Sequence, residues 1–238
     1  MKTFSFSRIF LAIVTLFVIG MTASSCTKSL NNHDTAQTAL LMAFNLAPDK
    51  PAAGFLLSGN SLTYNPLPFA GYTGAYVNIY SGTRTVVAYD FSNNTNIDTA
   101  TRTFSPGKYY SMFLTGIGGK YKNVLVQDEV DSLSGANGQA YIRYINAIPD
   151  STYPTVSIIA NGSAIVQQNA AFQSISGFVA AAPGQASINI SNKTQTINAS
   201  RTITLEAKKV YTLLFIGAPN QADSTKAVQI RYISNGQL

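Results

Sequence analysis

The motif Asn-x-x-Pro-Asp occurs twice in this chain, and each occurrence directly follows an apolar segment. The first is NLAPD at residues 45–49 and the second is NAIPD at residues 146–150. When residues 40–127 are laid over residues 141–233, further positions match at a shift that stays within two residues of 101. A constant offset of this kind indicates an internal duplication, so the chain is predicted to hold two copies of one domain. The other matched pairs are Phe69 with Phe172, Gly74 with Gly177, Gly82 with Gly184, Lys108 with Lys209, Tyr110 with Tyr211 and Gly116 with Gly217.

Each copy contains segments in which apolar and polar residues alternate, which is the period of a half-buried β-strand. ASINI at 186–190 alternates in this way, and VYTLLFIG at 210–217 matches YYSMFLTG at 109–116. Gly, Pro and Asn interrupt these segments about every 8–12 residues, as in all-β sandwiches. The prediction is an all-β fold of two tandem immunoglobulin-like β-sandwich domains. The face that both copies share is the predicted core, while the opposite face is mixed: Tyr110, Met112, Leu114, Tyr211, Leu213 and Phe215 against Ser111, Thr115 and Thr212.

The N-terminus has the features of a secretory signal. Thirteen apolar residues at 9–21 follow Lys2 and Arg8, a run too short to cross a bilayer as a helix. Cys26 is the only cysteine and follows the small residues ASS at 23–25, which resembles a bacterial lipobox, although Ala23 stands where leucine is commoner. Residues 1–25 are predicted to be a cleaved lipoprotein signal peptide with Cys26 lipidated. The alternative is an ordinary secretory signal with an incidental cysteine nearby.

Composition divides the rest of the chain. Residues 26–38 are predicted to be a flexible tether, 39–127 the first β-sandwich, 128–138 a polar linker and 139–238 the second β-sandwich. IRYI occurs at 142–145 and again at 230–233. Residues 228–233 are predicted to form the last strand of the second domain, and the alternative is the stump of a third repeat, whose strand edge would be unpaired. Arg143 and Arg231 lie between apolar neighbours, which predicts outward positions on half-buried strands.

Charge and cysteine content exclude a nucleic-acid partner and a disulfide framework. Without Lys2 and Arg8, fourteen of the sixteen basic residues remain against ten acidic ones, a net charge of +4. These basic residues are scattered, whereas a nucleic-acid footprint needs them clustered on one face. A single cysteine permits no disulfide within the chain. Each domain must therefore be stable through its own hydrophobic core, for which about a hundred residues suffice.

The distribution of catalytic residue types argues against an enzyme. His33 is the only histidine, and it lies in the predicted tether. Ser-His-Asp and Cys-His chemistry and histidine-ligated zinc all need a positioned imidazole. Carboxylate-pair catalysis remains open in principle, but the ten acidic residues form no motif that proposes a pair. The chain is predicted to have no catalytic residues and no cofactor.

Two groups of carboxylates are candidate cation ligands. Asp49 and Asp150 belong to the repeated motif, where the Pro-Asp sequence predicts a turn in which the Asp side chain bonds the backbone two residues on. One carboxylate per domain is few for calcium, which takes six to eight oxygens. Asp128, Glu129 and Asp131 lie together at the domain junction and are the better metal candidates. Their alternative interpretation is a solvated acidic linker.

Tyrosines are concentrated in the first copy. Tyr72, Tyr76 and Tyr109 are candidates for a binding face, because exposed tyrosines stack on sugar rings and on protein surfaces. Packing in the core is the alternative, since tyrosine is favoured in β-strands. The absence of tryptophan weighs against a carbohydrate platform. The full set comprises Tyr64, Tyr72, Tyr76, Tyr80, Tyr89, Tyr109 and Tyr121.

The order of motifs in each copy resembles the bacterial domain of unknown function 4397. In that family the early segment reads like His-Ala-Ser-Pro-Asp-Ala-Pro. NLAPDKP at 45–51 keeps both prolines and the aspartate, with Asn45 near the histidine position, and NAIPDSTYP at 146–154 has a longer gap before its second proline. The resemblance spans nearly all of 40–233. It implies secreted or lipid-anchored proteins with tandem immunoglobulin-like sandwiches, and it implies no catalytic residues.

These features together predict a non-catalytic protein of the bacterial cell envelope, lipid-anchored through Cys26, at the outer membrane. The predicted role is an interaction or binding module whose partner is a glycan or an envelope protein. The alternative is a structural spacer or assembly component of an envelope complex. Both a periplasm-facing and a surface-facing location remain open, because CTKSLNN at 26–32 contains no acidic residue that would direct the protein to the surface.

Overall fold

A computed structural model describes residues 37–135 and 137–238. The predicted signal peptide, Cys26 and His33 lie outside the described residues. In the described part the chain forms sixteen β-strands and one short 3-10 helix, Val130–Ser132, and the all-β prediction is confirmed. No helix in this part has the length and apolar character needed to cross a membrane.

The first copy is a sandwich of two four-stranded sheets. Their strand orders are β4-β1-β7-β8 and β3-β2-β5-β6. Strand β1 runs parallel to β7, and the other pairs between these strands are antiparallel. The strands are β1 (Thr38–Asn45), β2 (Ala53–Leu57), β3 (Asn60–Ser61), β4 (Val77–Tyr80), β5 (Gly82–Asp90), β6 (Thr95–Phe104), β7 (Tyr109–Ile117) and β8 (Lys120–Asp128).

The second copy repeats this topology strand for strand. Its sheet orders are β12-β9-β15-β16 and β11-β10-β13-β14, again with the first strand parallel to the seventh. Strand β16 pairs along its whole length with β15, so it is the last strand of this sandwich, and the third-repeat alternative is wrong. The strands are β9 (Ala140–Asn146), β10 (Thr155–Ala160), β11 (Ser163–Asn169), β12 (Val179–Ala181), β13 (Gly184–Ser191), β14 (Asn198–Leu205), β15 (Lys209–Ile216) and β16 (Gln229–Gln237).

The predicted core face is buried in both sandwiches. The alternating apolar residues of β7 lie in the first core and those of β15 in the second, as the shared face predicted. Tyr110 and Tyr211 also accept a hydrogen bond from the backbone N–H five residues upstream, from Ser105 at 2.8 Å and from Glu206 at 3.0 Å. This arrangement resembles the tyrosine corner of immunoglobulin-like sandwiches.

The asparagine of the repeated motif fastens the loop that follows the first strand. Asn45 is fully buried, and its Nδ2 donates to the carbonyls of Lys50 at 2.7 Å and Leu67 at 3.0 Å. Asn146 is buried in the same way and donates to the carbonyl of Ala170 at 2.9 Å. In each copy the side-chain oxygen also accepts a backbone N–H two residues on. A buried amide needs such partners, so the motif is conserved between the copies for structural reasons.

The two aspartates of the motif have different roles. Asp150 accepts the backbone N–H of Thr152 at 2.6 Å, and the predicted turn is confirmed there. At Asp49 the predicted turn is also present, because the backbone N–H of Lys50 donates to the carbonyl of Ala47 at 3.1 Å, but the Asp49 carboxylate bonds a distant hairpin instead of the backbone two residues on. Its Oδ2 accepts the backbone N–H of Gly118 at 2.9 Å and the hydroxyl of Tyr121 at 2.6 Å, because the β7–β8 hairpin brings both donors within reach.

The phenol of Tyr121 is expected to titrate late. Burial, and then the hydrogen bond to Asp49, raises its pKa from 10.0 to about 12. Because the pKa of Tyr121 is higher in the folded state than in the unfolded state, the folded protein binds more protons between about pH 10 and pH 12. The resulting stability is complete below pH 10 and is lost as the pH rises towards 12. Titration of phenolate absorbance should show Tyr121→Phe losing one late-titrating phenol. Loss of an early-titrating phenol instead would contradict this assignment.

The two sandwiches pack against each other through equivalent faces. The outward face of β1 and β7 meets the outward face of β9 and β15, and a third apolar cluster forms between them. Phe44 matches Ile145 and Phe113 matches Leu214 in the duplication, so the interface resembles an isologous one. The mixed face of these strands is therefore buried as well. The buried members are Met42, Phe44, Leu46, Phe113, Ile145, Ala147, Leu214, Ile216 and Ile233.

Candidate functional site

A buried ion pair joins the two sandwiches beside the apolar interface. Asp128 ends β8 of the first sandwich, and Arg143 lies in β9 of the second. Nη1 of Arg143 lies 2.6 Å from Oδ1 of Asp128, and the two side chains are 2% and 0% exposed. The ring of Phe178 lies 4.4 Å below the guanidinium. A buried pair of this kind is tolerated only when its remaining donors and acceptors are satisfied.

A ring of hydrogen bonds satisfies those groups. Ser111 and Tyr76 donate their hydroxyls to Oδ2 of Asp128, at 2.7 and 2.5 Å. Arg143 donates to Ser111 at 2.9 Å and to Thr212 at 2.9 Å. Asn235 closes the ring, since it accepts from Thr212 at 2.6 Å and donates to Tyr76 at 3.2 Å. Burial, and then the charge of Asp128, raises the pKa of Tyr76 well above its usual range. We call these six residues the polar lock: Tyr76, Ser111, Asp128, Arg143, Thr212 and Asn235.

The polar lock corrects one prediction about the repeated IRYI segments. Arg143 points away from its own core, but the predicted half-buried position is wrong, because the first sandwich covers that face. Arg231 is exposed, as predicted. The two arginines differ because β9 is a central strand of the interface sheet, whereas β16 is at its edge.

The three carboxylates at the domain junction each have a different partner in the structure. Asp128 is held by the polar lock, Glu129 accepts from Gln127 at 2.9 Å, and Asp131 pairs with Lys108 at 3.0 Å. In residues 37–135 and 137–238, no three His, Cys, Asp or Glu side chains are grouped closely enough to hold a metal ion. The solvated-linker interpretation is wrong for Asp128, because this residue ends a paired strand and is buried.

The three candidate tyrosines line the interface instead of an exposed platform. Tyr72 stacks on Phe44 with ring centroids 5.4 Å apart, inside the apolar cluster between the sandwiches. Tyr76 belongs to the polar lock, and Tyr109 meets it edge-on at 5.1 Å. Packing therefore accounts for Tyr72, whereas Tyr76 and Tyr109 also line a cavity of about 310 Å³ beside the polar lock.

A different pair of tyrosines flanks a cleft at the open edge of the first sandwich. The cleft has a volume of about 480 Å³ and lies between β3 of one sheet and β4 of the other. Tyr64 and Tyr80 are 91% and 63% exposed. The floor is apolar, formed by Leu57, Leu62, Val77 and Ile79, and the rim is polar, formed by Thr38, Asn60, Ser61, Tyr64, Asn78, Tyr80 and Arg84. We call this feature the edge cleft.

The edge cleft opens because the third strand is interrupted. Strand β3 ends at Ser61, and the Phe55 N–H is bonded by the Thr63 hydroxyl at 3.2 Å instead of by a backbone carbonyl. Pro66 cannot donate to a ladder, so the strand does not resume before Leu67 bridges to Ala53. Tyr64 is displaced outward at this irregularity.

Arg84 holds the other side of the edge cleft open. It lies on the same face of β5 as the core residues Val86 and Ala88. A guanidinium cannot enter the apolar core, so it reaches outward, donating to the carbonyls of Tyr80 at 3.2 Å and Ser81 at 2.9 Å. Its charged group lies 5.9 Å from the Tyr80 ring centroid, a cation–π contact.

The second copy closes the same edge. There β11 is a strand of seven residues that contacts β12, and Ile165, Val166 and Val179 pack onto the core. The duplication places Gln167, Ala182 and Ala186 at the positions of Tyr64, Tyr80 and Arg84. The edge cleft is therefore specific to the first copy. Comparing the two copies position by position is the sequence signal that could have located it.

The comparison with protein families agrees with the duplicated architecture. The model of the family described as "Domain of unknown function (DUF4397)" matches residues 39–152 and 140–232. A search of curated proteins gives no match. Among solved structures, the chain is similar at 10% identity to a crystal structure described as "a putative cell adhesion protein" from Bacteroides eggerthii DSM 20697, with 85% of this chain and 96% of that chain covered and a TM-score of 0.22. The chain belongs to the DUF4397 family, with the family domain present in two tandem copies.

Proposed function

We propose that this protein is a non-catalytic binding module of the bacterial cell envelope and that the edge cleft holds its ligand. The observation that carries the proposal is the difference between the copies. The same fold is closed at this edge in the second sandwich and open in the first, where two exposed tyrosines and an arginine have been placed around an apolar floor. Exposed aromatic rings, with an apolar body and a polar end, suit a binding rim.

The chemistry of the edge cleft favours binding over turnover. The residues that line it, all within the described part of the chain, include no carboxylate, thiol or imidazole. Arg84 supplies the single positive charge, and amide and hydroxyl groups supply neutral donors and acceptors. Such a site can select a ligand by shape, apolar contact and one charge, but it offers no nucleophile with a base beside it.

The proposed membrane anchor would keep the edge cleft near a bilayer. Thr38 lines the cleft, and the carbonyl of Gln37 accepts hydrogen bonds from the N–H and hydroxyl of Ser81, so the chain enters the sandwich beside it. Ten residues lie between Cys26 and Gln37, so the eleven Cα–Cα steps reach at most about 40 Å when extended. A lipidated Cys26 would place the ligand site within that distance of the envelope membrane, on either face.

The binding proposal predicts a loss of affinity when the cleft receives the residues of the second copy. Residues 27–238, which contain every strand, are screened on an array of bacterial and host glycans and against a phage-displayed library of random dodecapeptides. Binders of the wild type should bind the variant Tyr64→Gln/Tyr80→Ala/Arg84→Ala roughly tenfold or more weakly, a loss of about 1.4 kcal/mol or more.

The control for this screen is Tyr153→Ala, which removes an exposed tyrosine from the second sandwich. It should bind like the wild type. Thermal unfolding of each variant separates loss of the site from loss of the fold. Equal binding by all three proteins, or no binder in either library, would overturn the proposal.

A structural spacer is the second candidate function. The polar lock and the apolar cluster favour it, because together they fix the two sandwiches in one arrangement. A spacer needs no ligand site, so a screen that finds no glycan or peptide binder would favour this role.

A further inference from the structure

Strand β4 presents unused main-chain groups to the edge cleft. It is the edge strand of its sheet and pairs only with β1, with Tyr80 opposite Thr38. The N–H of Ser81 donates to the carbonyl of Gln37 at 3.0 Å. From this bond, hydrogen-bonded and non-hydrogen-bonded residue pairs alternate along β4 and β1. The N–H and C=O groups of Asn78 and Tyr80 therefore point to the free edge. The Arg84 side chain already donates a hydrogen bond to the Tyr80 carbonyl. The N–H and C=O of Asn78 and the N–H of Tyr80 are therefore left to bond a ligand.

The second copy shows what fills the equivalent space. There the strand β11, which pairs with β10 in the opposite sheet, covers this edge, and its apolar residues Ile165 and Val166 pack onto the core. In the first copy the equivalent residues are Leu62 and Thr63, in a segment that leaves the strand after Ser61. The edge cleft thus has an apolar floor that suits side chains from an extended chain. An extended chain matches it better than a sugar ring does, because only a chain can also pair with the free main-chain groups of β4.

Charge sets one further requirement. Among the residues that the structure describes, Arg84 is the only charged one that lines the edge cleft. Arg84 belongs to β5, but its guanidinium reaches the end of β4, next to the unpaired main-chain groups of Asn78 and Tyr80. A carboxylate arriving there would form a charge-assisted hydrogen bond with the guanidinium, whereas a cationic ligand would be repelled.

We propose that the edge cleft binds an extended peptide segment of a partner protein by β-strand addition to β4. Alternate apolar side chains of the peptide enter the floor of Leu62, Val77 and Ile79, and an acidic side chain meets Arg84. Main-chain hydrogen bonds give affinity in this mode, and alternate side chains give specificity. This inference rests on the proposed function, since it names the ligand class of the same site.

The decisive variant removes one edge N–H and leaves the side-chain lining in place. Asn78→Pro deletes the donor that faces the free edge, a position where edge strands tolerate proline. Asn78→Ala is the matched control, because it removes the same side chain and keeps the N–H. The probes are dodecapeptides selected on the wild type from the random phage library, and binding is measured by calorimetry on residues 27–238.

Selected peptides should share alternating apolar residues and an acidic residue. Asn78→Pro should bind them roughly tenfold or more weakly, while Asn78→Ala stays within about threefold of the wild type. If Asn78→Pro unfolds, isotope-edited amide shifts of Asn78 and Tyr80 on peptide addition give the same answer. Equal binding by both variants, or unmoved amide signals, overturns the inference.

The glycan arm separates failure of this inference from failure of the proposed function. Glycans that bind the wild type and lose affinity in the Tyr64→Gln/Tyr80→Ala/Arg84→Ala variant, without any peptide binder, would keep the edge cleft as the site and refute strand addition. Silence in both arms would refute both proposals.

Discussion

Replacing Arg143 with methionine is expected to lower the free energy of unfolding by about 3–5 kcal/mol. The variant leaves the Asp128 carboxylate buried without its cation, and removing one partner of a buried pair is far more costly than never having had the pair. Methionine is the residue that the duplication places at this position in the first copy, Met42, where it packs in the same interface. It therefore suits a buried position at this interface, and it removes the charge together with the hydrogen bonds to Ser111 and Thr212. Urea unfolding of residues 27–238 measures the change.

Two controls make the Arg143→Met result specific. Adding Asp128→Asn should recover at least half of the loss, because the double variant buries no uncompensated charge and the amide oxygen still accepts from Tyr76. Lys108→Met, which breaks the exposed pair with Asp131, should cost less than about 1 kcal/mol. A cost for Arg143→Met no larger than that of Lys108→Met would contradict the role given to the polar lock.

The polar lock also restricts how the two copies can pair. An apolar interface alone tolerates sliding, because apolar contact is not directional. Asp128 and Arg143 are each other's single charged partner in this arrangement, and three neutral side chains, those of Tyr76, Ser111 and Thr212, complete their hydrogen bonds. A shifted packing would bury both charges unpaired. The lock thus selects one register between sandwiches whose equivalent faces could otherwise meet in several ways.

The sequence was informative about the fold because the duplication showed the same strand faces twice. Tyr110 and Tyr211 marked the core in both copies, and each copy supported the other. The sequence also contained part of the signal for the interface. TLLFI at 212–216 is apolar on both faces, which is the pattern of a strand covered on both sides. Leu214 of this segment is indeed buried between the sandwiches. Arg143 concealed this, since a charge in a strand ordinarily faces water.

The candidate site was harder to predict because exposure depends on tertiary contacts. Tyr76 and Tyr64 are the same residue type in the same copy, yet one lies in the polar lock and the other is almost fully exposed. No local pattern separates them. The irregularity at Thr63, where a side-chain hydroxyl replaces a ladder bond, decides that Tyr64 points to solvent. The orientation of Tyr64 therefore depends on Phe55, which lies on β2, eight residues before Thr63.

Replacing Phe113 with alanine is expected to cost about 3–5 kcal/mol and to separate the unfolding of the two sandwiches. The Phe113 side chain is fully buried in the apolar cluster between them, with its ring stacked on Phe44 at 4.7 Å. The cavity weakens the contact that makes one sandwich depend on the other, so calorimetry should change from a single transition towards two. Phe55→Ala is the matched control, since it empties a similar volume inside the first sandwich and leaves the interface intact.

A single, merely shifted transition in Phe113→Ala, equal to that of Phe55→Ala, would show that the apolar cluster does not couple the sandwiches. Ligand binding provides an independent reading of the same variant. The edge cleft is lined only by residues of the first sandwich, none of which belongs to the interface cluster. Phe113→Ala should therefore keep the affinity of the wild type for cleft ligands below its first transition. A parallel loss of affinity would mean that the cleft requires the second sandwich, and the separation of binding site from interface would be wrong.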